Sequence, residues 1–282
     1  MQVMHDMVIA GFFVLLFILL ILYFIKPNSK RFKGFPMPFF AHRGLHGDGI
    51  PENSIAAFRK ARQKGLGVEL DVRLTLDNKL VVFHDDDLKR LCGEPYSVEQ
   101  LKYDDLKKFS LSGTEEKIPL FEEVLKVLEG MPVICEIKSL PGDAVGEVCE
   151  AVCRHIAEYN GFVCIESFNP YVVQWFAKNR PDLIRGQLSM NFMPTKKALP
   201  VIQAFLMTNL LVNVLGRPDF IAYRHTDDSV GFFLCRKIFK PVCAAWTICS
   251  EKEKKAANLK YQAIIFEKFH PSHDDLSNAR GV

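Results

Sequence analysis

The chain has no phosphate-binding loop of the form Gly-x-x-x-x-Gly-Lys-[Ser/Thr] and no dinucleotide fingerprint, which argues against nucleotide-driven chemistry. It also lacks a basic stripe interleaved with aromatics. Its 36 lysines and arginines stand against 33 aspartates and glutamates, a net charge of +3. That balance reads as a solvated surface and gives no footing to a nucleic-acid partner. No Cys-x-x-Cys pair occurs, so the common zinc-ligand spacing is absent. Of the eight cysteines, Cys135, Cys164 and Cys243 fall inside apolar strand or helix patterns, and Cys149 and Cys153 lie one helical turn apart. They read as buried reduced thiols in a reducing compartment, not as a disulfide framework.

Charge is missing altogether from Met7 to Ile25, 19 residues long, which is enough to cross a bilayer as a helix. A cleaved signal peptide would carry a basic n-region and a small-residue cleavage site, and neither is seen: Asp6 precedes the span, with no Lys or Arg. The expectation is therefore an uncleaved single-pass anchor, residues 1–25. Lys26, Lys30, Arg31 and Lys33 follow it, so the positive-inside rule places the rest of the chain in the cytoplasm at the cell membrane. Gly11 is the lone glycine of the span, so no Gly-x-x-x-Gly helix-pairing motif is available. Residues 26–38, with Pro27, Gly34 and Pro36, read as a short basic linker. Nothing in the composition identifies a protein partner.

What is present is concentrated between Phe39 and Asp85. In the run Val68 to Leu74, Val68, Leu70, Val72 and Leu74 share one face of a strand, and Glu69, Asp71 and Arg73 share the other. In isolation that pattern reads as an antiparallel strand with one face in water. Its neighbours point elsewhere. Leu80–Phe83 runs into His84 and Asp85, and Val133–Lys138 places Glu136 and Lys138 on a single face. Short strands separated by helical patterns imply a parallel sheet covered by helices. With the first residues set aside, about 250 remain, the usual length of an eight-stranded α/β barrel. Inside such a barrel Glu69, Asp71 and Glu136 would need a cation or hydrogen-bond donors to compensate them, and three carboxylates suit Mg²⁺ or Ca²⁺.

The series His42-Arg43-Gly44, Pro51-Glu52-Asn53-Ser54, Glu69-Leu70-Asp71-Val72, His84-Asp85 and Glu136-Ile137-Lys138 resembles the glycerophosphodiester phosphodiesterases in order and spacing. The similarity continues through Ser167-Phe168-Asn169 and Trp246-Thr247 to about Pro271. It implies a TIM (β/α)8 barrel over residues 39–275, with a small insertion after the second strand at about 85–119, patterned as helix from Tyr96 to Phe109. Eight strands can be traced, starting at Phe39, Val68, Val133, Gly161, Leu183, Asp219, Pro241 and Ala263. Asn53 or Ser54 can cap the helix ending near Gly65, and Glu52 and Asn53 are expected to support the His42 loop. The apolar run from Ala198 to Leu215 reads as a barrel helix with one buried side, or alternatively as a hydrophobic lip dipping into a bilayer.

Phosphodiester hydrolysis requires charge neutralisation at the phosphate, an activated oxygen nucleophile and a proton for the leaving alkoxide. The cation at Glu69, Asp71 and Glu136 would meet the first need, with Arg43 and Lys138. Histidine suits the proton transfers, which makes His42 and His84 the acid/base pair. The resemblance implies attack by a glycerol hydroxyl, a cyclic phosphate, then its hydrolysis to glycerol 3-phosphate and an alcohol. Phe168 and Trp246 would wall the glycerol. Cys249 stands where the family usually has asparagine, and Glu267 where it has aspartate. Both are expected on the substrate side. Glu166 reads as a paired carboxylate at the core edge. Two rival readings remain: a lysophospholipase D taking membrane lysophospholipids, and an inactive membrane-tethered barrel that binds headgroups.

Overall fold

The computed structural model describes residues 1–139, 145–193, 199–272 and 275. Its strands are β1 Phe39–His42, β2 Gly67–Leu74, β3 Leu80–Val82, β4 Val133–Ile137, β5 Val163–Ser167, β6 Ile184–Ser189, β7 Phe220–Arg224, β8 Val242–Ile248 and β9 Ala263–Phe266. β1 pairs in parallel with both β2 and β9, and every intervening pair is parallel, so eight strands close into a barrel. β3 lies outside that ring, antiparallel to β2.

Closure explains why β2 is buried almost throughout although three of its eight residues are charged. Val68, Leu70 and Val72 face outward into the layer under the helices, against Phe58, Phe121 and Val124. The alternate residues Glu69 and Asp71 then have to face the barrel axis. Parallel register sets Asp71 opposite Glu136, and Glu136 opposite Glu166, so one layer of the interior is acidic. Below it the lumen is filled by apolar side chains, among them Phe40, Ile134, Cys164, Phe220, Ala222 and Ile265.

Residues 26–38, expected as a linker, are packed. Phe32 and Phe35 close the N-terminal end of the barrel against Phe40, Phe162 and Phe220, with ring centroids 5.0–6.4 Å apart. Asn28 and Arg31 reach the buried Asp219, which also accepts from the Arg185 backbone. The basic residues mark the segment as polar in sequence, but its aromatics decide where it goes.

A helix spans Gln2–Ile25, and Val3–Ile25 is long and apolar enough to cross a membrane. Most of it is exposed; Ile21, Leu22 and Ile25 pack on the barrel. Its last turn is held by hydrogen bonds. Asn213 donates to the Ile25 carbonyl at 2.9 Å, and Arg217 donates to the Tyr23 and Lys26 carbonyls at 2.6 and 2.8 Å.

The insertion is not the helix its pattern suggested from Tyr96 to Phe109. It is a series of single turns, Lys89–Cys92, Val98–Gln100, Tyr103–Leu106 and Leu111–Gly113, around a small core of Val81, Phe83, Leu88, Val98, Leu106 and Ile118. The tip of the β2–β3 hairpin intercepts the ladder: Leu76 N–H takes the Leu101 carbonyl, and Asp77 takes the Tyr103 N–H. The apolar run after β6 is also divided. Within the described part, helix Val201–Thr208 buries Ala204, Met207 and Thr208 and exposes Val201, Ile202 and Phe205, and a separate turn covers Asn213–Gly216. The start of that run, residue 198, lies outside the described residues.

Phe32→Ala should cost about 3 kcal/mol of stability, the order expected for emptying a buried aromatic site. Chemical denaturation in detergent checks it; a freely solvated linker would show no change.

Candidate active site

The C-terminal ends of β1, β2, β4, β5 and β8 converge on one cavity, lined by His42, Arg43, Glu69, His84, Glu136, Lys138, Glu166, Phe168 and Trp246. In a closed parallel barrel this end is where loops of different strands can meet. Oxygens of Glu69, Asp71 and Glu136 lie within 4.8 Å of one another, and all three residues are buried. Burial, then the nearness of Asp71, pushes Glu69 well above the ordinary carboxylate range. Burial likewise lifts Glu136 to about 7, against the pull of Lys138. Asp71 goes the other way: although it too is buried, Lys138, His84 and Arg43 hold it well down.

The counter-charges are few and specific. Lys138 Nζ is 2.6 Å from Glu136 Oε1 and 3.0 Å from Asp71 Oδ1, so it bridges two of the three carboxylates. That approach is off-line for a hydrogen bond to Asp71 Oδ1, which has no partner. Arg43 donates its backbone N–H to Glu69 and its guanidinium to Glu52, and lies 3.5 Å from Asp71. The orphaned oxygen, the all-oxygen donor set and the proximity of the three groups fit a hard divalent cation.

Asn53 donates to Asp71 Oδ2 at 2.9 Å, and its backbone N–H bonds the Arg43 carbonyl. It therefore steadies the acidic cluster as well as the loop after β1. Glu52 is shared between Arg43 and Arg90. Ser54, not Asn53, caps the next helix, accepting from Ala57 N. The glycine of His42-Arg43-Gly44 has φ +77°, and a Cβ there would sit 2.9 Å from the Ala57 Cβ. Gly44 thus lets the loop lie against that helix, a packing role.

Each histidine has a carboxylate behind it. His42 Nδ1 is 2.8 Å from Glu267 Oε2, while Nε2 is 3.9 Å from Glu69. His84 Nδ1 is 2.7 Å from Asp85, itself clamped by Arg90. Burial lowers both imidazoles below their usual value, the partners offsetting part of the effect. The hydrogen bond from His42 in turn holds Glu267 well below the carboxylate range. Phe168 and Trp246 meet edge to face at 5.6 Å.

Glu267 is thus behind His42, not on the substrate side where the sequence suggested it. Cys249 lies beside it, with Sγ 3.6 Å from Oε1. Glu166 also differs from its expectation as a paired core-edge group: it is fully buried, lines the cavity and leaves Oε2 without a hydrogen bond. Its parity with Phe168 was legible, but its layer depended on strand register. Asp85, the next residue after His84, and Arg90, five positions beyond Asp85, were missed as its partners.

A barrel with this acidic, two-histidine mouth defines a class of phosphoester-handling proteins, and the comparisons narrow it. Residues 42–265 match the model of the glycerophosphoryl diester phosphodiesterase family. The chain belongs to that family. It is 36% identical over 163 residues to a glycerophosphodiester phosphodiesterase of Caldanaerobacter subterraneus subsp. tengcongensis, covering 52% of this chain and 65% of that protein. It is 43% identical over 166 residues to one from Bacillus altitudinis, covering 54% and 66%. A human lysophospholipase D is 30% identical over 164 residues, covering 54% and 52%. The chain thus spans about half to two thirds of these curated relatives. The fold is shared with an Oleispira antarctica phosphodiesterase solved with its product sn-glycerol-3-phosphate, at TM-score 0.67 and 24% identity over 82% of this chain and 93% of that one.

A divalent ion present at a hundred times its Kd should raise the stability of the full chain by about 2.7 kcal/mol. Glu136→Gln should remove most of that gain, read as a lost shift in the unfolding temperature.

Proposed function

We propose that the protein hydrolyses glycerophosphodiesters to glycerol 3-phosphate and an alcohol. The observation that carries this reading is the pair of carboxylate-backed histidines, His42 and His84, at one cavity over the three acidic groups. A divalent cation, Mg²⁺ or Ca²⁺, held by Glu69, Asp71 and Glu136 would supply positive charge to the phosphate oxygens. Arg43 and Lys138 add fixed positive charge at the same mouth, and Phe168 with Trp246 offers the glycerol an apolar wall.

His42 takes the proton of the glycerol hydroxyl next to the phosphate as that oxygen attacks phosphorus. His84 gives a proton to the departing alcohol, and a cyclic phosphate remains. Water then opens the ring with the two roles reversed. The assignment follows from the partners. The Glu267 carboxylate stabilises a protonated His42, which makes it the better base. Asp85 shares its charge with Arg90 through two hydrogen bonds, so it supports a protonated His84 less and leaves it the readier acid. The reading keeps the chain at the membrane: the barrel grips the last turn of the N-terminal helix through Asn213 and Arg217, contacts that a cleaved leader would forfeit. All eight cysteines are free, in keeping with a cytoplasmic barrel.

A second reading has its own observation. Val201, Ile202 and Phe205 on the helix after β6, and Val230 and Phe233 on the helix after β7, are exposed. They belong to the flank that also holds the N-terminal helix, through Asn213 and Cys235. Such a flank suits a lysophospholipase D that draws lysophospholipids from the bilayer. Val201→Ser/Phe205→Ser should leave turnover of soluble glycerophosphocholine intact, and lower turnover of lysophosphatidylcholine in vesicles only if that second reading holds.

Replacing either histidine by alanine should lower kcat about a hundred- to ten-thousandfold, the usual span for removing a general acid or base. Glu69→Ala should abolish turnover of a glycerophosphodiester panel in the folded protein. A wild-type chain that binds these headgroups and releases no glycerol 3-phosphate would instead be the inactive tethered barrel.

A further inference from the structure

A second cluster of metal-competent side chains lies behind the proposed base. One nitrogen each of His42 and His46 and one oxygen of Glu267 lie within 4.8 Å of each other. The measured contacts are 2.8 Å from His42 Nδ1 to Glu267 Oε2 and 3.6 Å from His46 Nε2 to the same oxygen. Ligand atoms around a tetrahedral zinc, bonded at about 2.0–2.1 Å, stand roughly 3.3 Å apart. The three donors are therefore within a few tenths of an ångström of a zinc-sized triangle on their carboxylate edges.

Two further observations point to a ligand. His46 Nε2 is buried and has no hydrogen-bond partner, since 3.6 Å to the carboxylate is too long. The loop carrying it is pinned by Leu45 N–H to the Ala57 carbonyl, by His46 N–H to the Gly44 carbonyl and by the paired Gly47 and Ile50. The backbone that carries the imidazole is thus held in place, with Nε2 facing Glu267 at 3.6 Å and making no hydrogen bond. Cys249 Sγ lies 3.6 Å from the other Glu267 oxygen, Oε1, and is not one of the three clustered donors. Lys268 Nζ lies 3.0 Å from that oxygen, but its side chain is 69% exposed and can swing into solvent.

We propose that His42, His46 and Glu267 form a zinc site distinct from the acidic cluster, and that zinc there switches the enzyme off. The donor chemistry separates the two sites. Two imidazoles and one carboxylate favour zinc, whereas the three carboxylates favour Mg²⁺ or Ca²⁺. The effect on catalysis follows from proton placement. In the resting dyad His42 Nδ1–H donates to Glu267, and the lone pair on Nε2 faces the substrate. Zinc on Nδ1 takes that nitrogen's lone pair, so the neutral imidazole must bind as its other tautomer: its single proton moves from Nδ1 to Nε2, and no lone pair is left there to accept another. Inhibition rests on His42 acting as the base proposed above; zinc binding does not.

The test uses the full chain with Mg²⁺ or Ca²⁺ saturating. Zn²⁺ should inhibit turnover at one equivalent bound. His46→Asn and His46→Gln should keep the uninhibited rate and need at least about tenfold more Zn²⁺ for half inhibition, the loss typical of weakening a metal's ligand shell. Cobalt replacing zinc should give the visible absorption of a four-coordinate site in the wild type, weakened in both His46 variants. The cobalt spectrum reports the site even if no diester is hydrolysed. Inhibition that is unchanged in the His46 variants, or reversed by raising Mg²⁺ or Ca²⁺, would place the ion on the acidic cluster and overturn the proposal.

Discussion

Confining Glu69, Asp71 and Glu136 within 4.8 Å inside a closed barrel is the constraint around which this protein is arranged. Like charges at that separation, out of water, repel strongly and lose their hydration. The surrounding structure answers with a small number of fixed groups. Lys138 bridges two of the carboxylates, Arg43 places a backbone N–H on the third, and Asn53 donates to Asp71. Burial nonetheless raises two of the three, and a fourth acid, Glu166, completes the layer with an oxygen left unbonded. A site that is incompletely neutralised by its own side chains has room electrostatically for a cation.

The remainder of the barrel keeps that electrostatic burden at one end. Phe40, Phe220, Ile134 and Ile265 fill the lumen below, and Phe32 and Phe35 seal its base. This division places an apolar core directly beneath an acidic layer without a gap. It also ties the N-terminal helix to the chemistry, because the segment leaving that helix is the one that closes the barrel. Asp219 links the two through Asn28, Arg31 and Arg185, so the membrane-length helix and the barrel meet as one packed structure.

The histidines extend the same logic outward. Each is fixed through Nδ1 by a carboxylate, and each carboxylate has a cation of its own: Arg90 for Asp85, and the more exposed Lys268 for Glu267. An imidazole fixed on one nitrogen presents the other in a known direction, which is what directional proton transfer needs. The difference between the two carboxylate environments is what distinguishes the proposed base from the proposed acid.

Much of this was legible from residue order. Alternation in Val68–Leu74 put Glu69 and Asp71 on one face, the strand and helix pattern implied a parallel sheet, and His42, His84 and Glu136 stood at strand ends. Local chain geometry is enough for those inferences, because side-chain direction along a strand has a period of two residues. What sequence could not supply was any relation between strands distant in the chain. Glu267 lies 225 residues from His42 and joins it only because β9 pairs with β1. Glu166 enters the acidic layer through the register of β4 with β5. The aromatics of 26–38 become a plug only once a barrel exists to close, and the Tyr96–Phe109 pattern breaks into turns because Leu76 and Asp77 compete for its backbone groups. Face and element type follow from neighbours along the chain; partner, layer and burial are set by which strands the closed ring brings together.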